Sequence, residues 1–82
     1  MASFQATVAA GYLPVEGQAA LLIEIAPKLA VSVATGGALI LSGILRTQEA
    51  EVLAAFRRAG FRMLRSVRKG KWVALMAKRA AR

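Results

Sequence analysis

Cysteine, histidine, aspartate and asparagine are all absent from the 82 residues, and the only carboxylates are Glu16, Glu24, Glu49 and Glu51. No disulfide can form, and the thiolate and imidazole ligands of the usual metal sites are missing. Neither a Ser-His-Asp nor a Cys-His arrangement can be assembled from what remains. The chain is poorly equipped to act as an enzyme by itself, and no catalytic, cofactor-binding or metal-binding residue is assigned. Lack of cysteine fits a reducing compartment, so a cytoplasmic location is expected. The first basic residue is Lys28, so no basic n-region leads an apolar run and no secretory signal is expected.

What is abundant is apolar. Eighty-two residues make one small domain, which buries only about 60 to 65% of the surface that its unfolded chain exposes. Yet 57% of the residues are hydrophobic and the mean hydropathy is +0.52. Some apolar surface should therefore be left for lipid, a partner or a missing part of the same protein to cover.

Charge is uneven. Residues 1–51 carry Lys28 and Arg46 against the four Glu, a net of −2, while residues 52–82 carry ten Lys or Arg and no acid, giving the total of +8. Arg57, Arg58, Arg62, Arg65, Arg68, Lys69 and Lys71 are candidate contacts for a polyanion. The same block reads equally well as a solvated hairpin face.

Residues 1–16, with Gly11 and Pro14 as breakers, read as an irregular arm with one short strand near Gln5 to Ala10. From Gln18 to about Ala34, Leu21, Leu22, Ile25, Leu29 and Val33 recur at helical spacing and mark one buried stripe. Pro27 interrupts it, which predicts a kink or two short helices. Thr35-Gly36-Gly37 ends this element, and Ala38 to Ser42 form a short apolar run that reads as a strand covered by helices on both faces.

Leu29 to Leu45 are seventeen consecutive uncharged residues, at the lower limit for a membrane span. Gly36-Gly37 near the middle, the stripe continuing upstream past Lys28 and Glu24, and the lack of aromatic residues at either edge argue instead for helix end, turn and sheet centre.

Thr47 is a plausible N-cap for a helix reaching Ala59, with Glu49 and Glu51 in the first turn, Arg57 and Arg58 in the last, and Gly60 as the stop. Val52, Leu53 and Phe56 form its core stripe. Phe61 to Arg68 and Trp72 to Ala77 read as two strands of an antiparallel hairpin joined by Lys69-Gly70-Lys71. Trp72 has the chemistry to stack on a base, although an aromatic residue in an alternating strand is more often core.

The segments "LIEIAPKLA", "GGALILSGIL", "EAEVLAAFRRAGF" and "KWVALMAKR" follow one another as in the last part of PrmA-type ribosomal protein methyltransferases, and from about Ala19 to Arg79 the chain resembles that family. The resemblance implies an α/β fold, the C-terminal half of a Rossmann-like class I methyltransferase sheet, ordered helix, strand, helix and antiparallel β-hairpin. Ala38 to Ser42 would then be strand five and the hairpin strands six and seven, with seven inserted antiparallel. Residues 1–16 would be the arm and 17–82 the half-domain. Ser42 and Gly43, at the end of strand five, would lie on the rim of the substrate pocket. The plainer reading is a turn and a capped backbone group, since no second polar group obviously converges on them.

Family members use S-adenosylmethionine, held by a glycine-rich turn and an acidic residue in the first half of the sheet, and neither is present here. An Asn-Ile-Leu segment of the family falls at Glu16-Gly17-Gln18, and a carboxylate cannot donate the hydrogen bonds that an amide does. The resemblance therefore implies a fragment or remnant of a methyltransferase that is inactive alone, needing its missing N-terminal half or self-association to cover a strand edge. Its partners would be a ribosomal protein or RNA. The alternatives are a small basic RNA- or ribosome-binding module and, last, a single-span membrane protein.

Overall fold

The computed structural model describes residues 12–80. Along the chain run strand β1 (Leu13–Glu16), helix α1 (Ala19–Ser32), strand β2 (Ala38–Leu45), a single 3-10 turn (Arg46–Gln48), helix α2 (Glu49–Arg58), and strands β3 (Phe61–Lys69) and β4 (Trp72–Arg79). The strands form one sheet in the order β1-β2-β4-β3. β1 and β2 are parallel, as a connection through a helix allows, whereas β4 runs antiparallel to both its neighbours. The α/β class and the succession helix, strand, helix, hairpin agree with the sequence.

Alternation along the strands divides the sheet into two faces. Leu39, Leu41, Val73, Leu75 and Ala77 point to the face covered by both helices, where they meet Ala19, Leu22, Ala26 and Ala30 of α1 and Val52 and Phe56 of α2. Phe56 and Phe61 bring their rings to 5.5 Å at 55°, a tilted contact that closes the core where α2 turns into β3. Ile40, Ala74 and Met76 form a second cluster on the opposite face, joined by Tyr12 and Val67. β2 is therefore buried on both faces, but both helices lie on one of them, not one on each as its apolar run suggested.

Residues 29–45 are helix end, turn and strand, with Leu39, Ile40 and Leu41 all in β2. No helix among the described residues is long and apolar enough to cross a membrane. That removes the support for the single-span reading.

Several local expectations are corrected. α1 is one helix with Pro27 inside it, not two short helices. Packing of Ala26 and Ala30 against the sheet holds it together where the missing proline N–H weakens it. Its buried positions are Ala19, Leu22, Ala26 and Ala30, while Leu21 is 48% exposed, because alanines let the helix approach the sheet closely. Part of the region read as an irregular arm, Leu13–Glu16, pairs with β2. The strand expected near Gln5 to Ala10 lies outside the described residues. Thr47 is not an N-cap: it sits in the 3-10 turn, and Gln48 occupies the cap position without a side-chain capping bond. The Gln48 side chain instead accepts a 3.4 Å hydrogen bond from the Leu45 amide. The hairpin strands are longer than expected, leaving only Gly70 and Lys71 as the turn. Gly70 takes φ 60 and Lys71 does not take positive φ, so glycine at the first turn position serves the right-handed twist of the hairpin.

Candidate functional site

β1 ends at Glu16, opposite Ser42 of the parallel strand β2, and carboxyl ends of parallel strands are where α/β sheets place ligands. Glu16 pairs with Ser42, and the Gly17 amide donates a 3.2 Å hydrogen bond to the Ser42 carbonyl. β2 does not stop at Ser42. It bulges between Leu41 and Ile44, so that Ile44 returns to the core and Leu45 pairs with Trp72. Gly43 supplies the backbone for this bulge at φ 86, and a Cβ there would stand 2.9 Å from the Gly17 carbonyl oxygen. Ser42 and Gly43 are therefore a half-buried bulge wedged against the end of β1, rather than a strand terminus.

The hairpin turn comes to the same end of the sheet. The Arg46 amide donates a 2.9 Å hydrogen bond to the Lys71 carbonyl, which fastens the exit of β2 to the turn. An open cleft of about 700 Å³ lies between them, lined by Leu45, Arg46, Thr47, Gly70 and Lys71. Beside it Trp72 is 45% exposed and belongs to neither apolar cluster, contrary to the core role expected from alternation. Its cross-strand neighbours are Leu45 on one side and Lys69 on the other, and the Lys71 ammonium lies 5.4 Å from the indole centroid.

The seven candidate polyanion contacts do not form one surface. Arg57 and Arg58 are exposed in the last turn of α2, where they complement the helix dipole. Arg62, Arg65 and Lys69 stand on the sheet face away from the helices, in register with Lys78, Met76 and Trp72. Arg62 and Lys78 are like charges directly opposite each other, an arrangement that costs stability unless an anion is near. Lys71 is in the turn.

Arg68 faces the other way, toward α2. Its Nε donates to Glu49 Oε1 at 3.0 Å and its Nη2 to Oε2 at 3.2 Å, while the Ser66 hydroxyl donates to Oε2 at 3.1 Å. Glu49 is only 8% exposed. The hydrogen bond from Arg68 chiefly lowers its pKa, with the Ser66 bond and the charges of Arg68 and Arg46 adding to this and burial opposing it. Arg68 is thus engaged within the fold. Sequence reading had no means to find this pair, because nineteen residues separate the partners. It also passed over Arg46, which sits before the basic block yet meets Lys71 through the fold.

The sheet order and the helices on one face define an α/β fold similar to a solved ribosomal protein L11 methylase from Lactobacillus delbrueckii subsp. bulgaricus. The TM-score is 0.79, with 24% identity, over 87% of this chain and 37% of that one. At that identity the likeness is one of fold. Residues 18–80 match the family model described as ribosomal protein L11 methyltransferase (PrmA). A ribosomal protein L11 methyltransferase of Rhizobium leguminosarum bv. trifolii is 48% identical over 54 residues, which is 66% of this chain and 18% of that protein. One of Chloroflexus aurantiacus is 44% identical over 61 residues, 74% of this chain and 19% of that protein. The chain belongs to the PrmA family. It spans about a fifth of the length of these curated relatives.

Proposed function

We propose that this chain is the C-terminal α/β half-domain of a ribosomal protein methyltransferase, inactive alone, whose sheet is completed by an N-terminal half that carries the S-adenosylmethionine site. The half-domain starts at Leu13 in this reading rather than at residue 17, because Leu13–Glu16 already pair with β2. Its expected setting is the cytoplasm, and its expected substrate a ribosomal protein.

The observation that carries this proposal is the difference between the two sheet edges. Among the described residues β1 pairs with β2 alone, and its four residues, Leu-Pro-Val-Glu, include no cation; Leu13 is 52% exposed. β3, at the other edge, carries Arg62, Arg65, Arg68 and Lys69 and a register shift between Met63 and Arg65. Cations and bulges are what proteins use to keep an edge from pairing. β3 is thus heavily guarded, whereas β1 is guarded only by its shortness and by Pro14, which lacks an amide donor, and is the edge better fit to receive a strand. A second copy of this chain is the competing occupant.

The residues do not fit the cofactor by themselves. Glu16 ends β1 as an exposed carboxylate that can only accept hydrogen bonds, and the Gly17 amide beside it already serves Ser42. Ser42 and Gly43 would line the rim of the substrate pocket once the other half is in place.

Isothermal titration of the 82-residue chain with S-adenosylmethionine is expected to show no heat of binding, and micromolar binding would refute the proposal. Co-expression with a PrmA relative from which the matched segment has been deleted is expected to give a stable complex through β1. A chain that sediments as a stable dimer and ignores that partner would favour self-association instead.

A further inference from the structure

We propose that the hairpin tip is a contact site for single-stranded RNA, in which Trp72 stacks on a base while Lys69, Lys71 and Arg46 hold the flanking phosphates. This does not depend on the methyltransferase reading.

Three observations converge on it. First, Trp72 is 45% exposed, while the next five residues of its strand, Val73 to Ala77, are between 0% and 6% exposed. Leaving an indole in water gives up stabilisation that a neighbouring position could have gained by burial. Second, cations surround it. Lys69 is its cross-strand neighbour, the Lys71 ammonium is 5.4 Å from the ring centroid, and Arg46 joins the turn through the Lys71 carbonyl. Glu49 approaches Arg46, but its two oxygens are held by Arg68 and Ser66. Third, Leu45 and Lys71, the cross-strand partner and the chain neighbour of Trp72, line an open cleft together with Arg46, Thr47 and Gly70, with two cations and a hydroxyl in its wall.

An aromatic face among cations that track a backbone is how single strands are bound without sequence preference. Duplexes keep their bases stacked inside, so they offer Trp72 nothing to stack upon. A lipid surface is the poorer match. Interfacial binding needs a group of exposed apolar side chains, and here one indole stands among charges, with Leu45 and Val67 on the same face both half-buried.

Trp72 is the single tryptophan of the chain, so its fluorescence reports the site directly. The 82-residue chain is titrated with a short oligouridylate, a duplex RNA of the same length, inorganic polyphosphate and vesicles rich in phosphatidylserine. Expected is saturable quenching by the single strand, weakening with salt, and much weaker quenching by the duplex and by polyphosphate. Trp72→Ala, followed by anisotropy of a labelled oligouridylate, is expected to weaken binding about ten-fold. Lys69→Gln and Lys71→Gln should each lower the slope of log affinity against log salt by about 0.7. Both lysines are exposed, so these variants stay informative if Trp72→Ala folds poorly. Equal binding of polyphosphate without quenching would overturn the proposal in favour of an unspecific cationic surface. A blue shift on vesicles with no response to oligouridylate would overturn it in favour of a membrane.

Discussion

Arg79 Nε donates a 2.8 Å hydrogen bond to the carbonyl of Ala30, forty-nine residues earlier, so the last residue of β4 closes the C-terminal end of α1. The same guanidinium reaches the Gly60 carbonyl through Nη1 at 3.4 Å, and the Arg79 backbone bonds to Gly36 and Gly37. One residue thus ties the end of α1, the following turn and the start of β3. Arg79→Ala leaves the Ala30 carbonyl without this donor, while the Gly60 carbonyl keeps its bond from the Ala80 amide, and is expected to cost about 2 kcal/mol. Arg79→Lys, with one point charge in place of a fork, is expected to recover only part of this. Urea unfolding at neutral pH measures both. An alanine variant with an unchanged midpoint would show that water serves these carbonyls equally well.

The Glu49 cluster makes stability depend on acid. Its pKa is lowered in the folded state, first by the Arg68 hydrogen bond, so the carboxylate binds a proton less readily than in the unfolded chain. Its contribution is therefore complete above the ordinary carboxylate range and is lost as the pH falls through the lower, folded value. Arg68 is half exposed, which limits the pair to about 1 kcal/mol. Glu49→Gln should lower stability at pH 7 and make its decline between neutral and acid pH shallower. Parallel stability profiles for the two proteins would show that Glu49 does not carry the acid response.

Gly43→Ala tests the bulge. At φ 86 the backbone is one that L-residues avoid, and the new methyl would stand 2.9 Å from the Gly17 carbonyl oxygen. The expected loss is about 1 to 3 kcal/mol from backbone strain, with the clash adding to it. Gly36→Ala provides the control. It has φ 85 but open space around the added atom, so it should carry the strain and not the clash. If the two variants lose equally, the contact between the ends of β1 and β2 is not tight, and Ser42 and Gly43 are not a fixed wall.

How much of this was legible in the sequence depends on the range of the interaction. The apolar run Ala38 to Leu41, the charges at the two ends of α2 and the Gly70 turn are local signals, and each corresponds to an element in the fold. The bulge at Ser42 and Gly43 was hidden, because nothing in "LSGIL" distinguishes a strand that stops from one that kinks and resumes. Thr47 looked like a cap because it precedes two glutamates. Glu49 is drawn instead to Arg68 on β3, a contact set by how the hairpin folds back. Trp72 was misjudged for a similar reason: alternation gives the face of a strand but not whether that stretch of the face is covered.

The way α1 packs on the sheet gives the last prediction. Of the stripe Leu21, Leu22, Ile25, Leu29 and Val33, Leu22 is fully buried and Ile25, Leu29 and Val33 pack half-buried against the same core. The fold also turns Ala26 and Ala30, 1% and 8% exposed, onto the sheet and leaves Leu21, 48% exposed, outside the contact. Small residues at such a contact set how closely helix and strands approach, so adding volume there forces them apart. Ala26→Leu is expected to cost about 1 to 3 kcal/mol although it makes the helix more hydrophobic. Leu21→Gln, which makes it less so, should stay within about 0.5 kcal/mol of the unaltered protein. Thermal unfolding of the two variants side by side decides the matter. The reverse order of stabilities would mean that α1 packs through its large residues and that its helix phase is wrong.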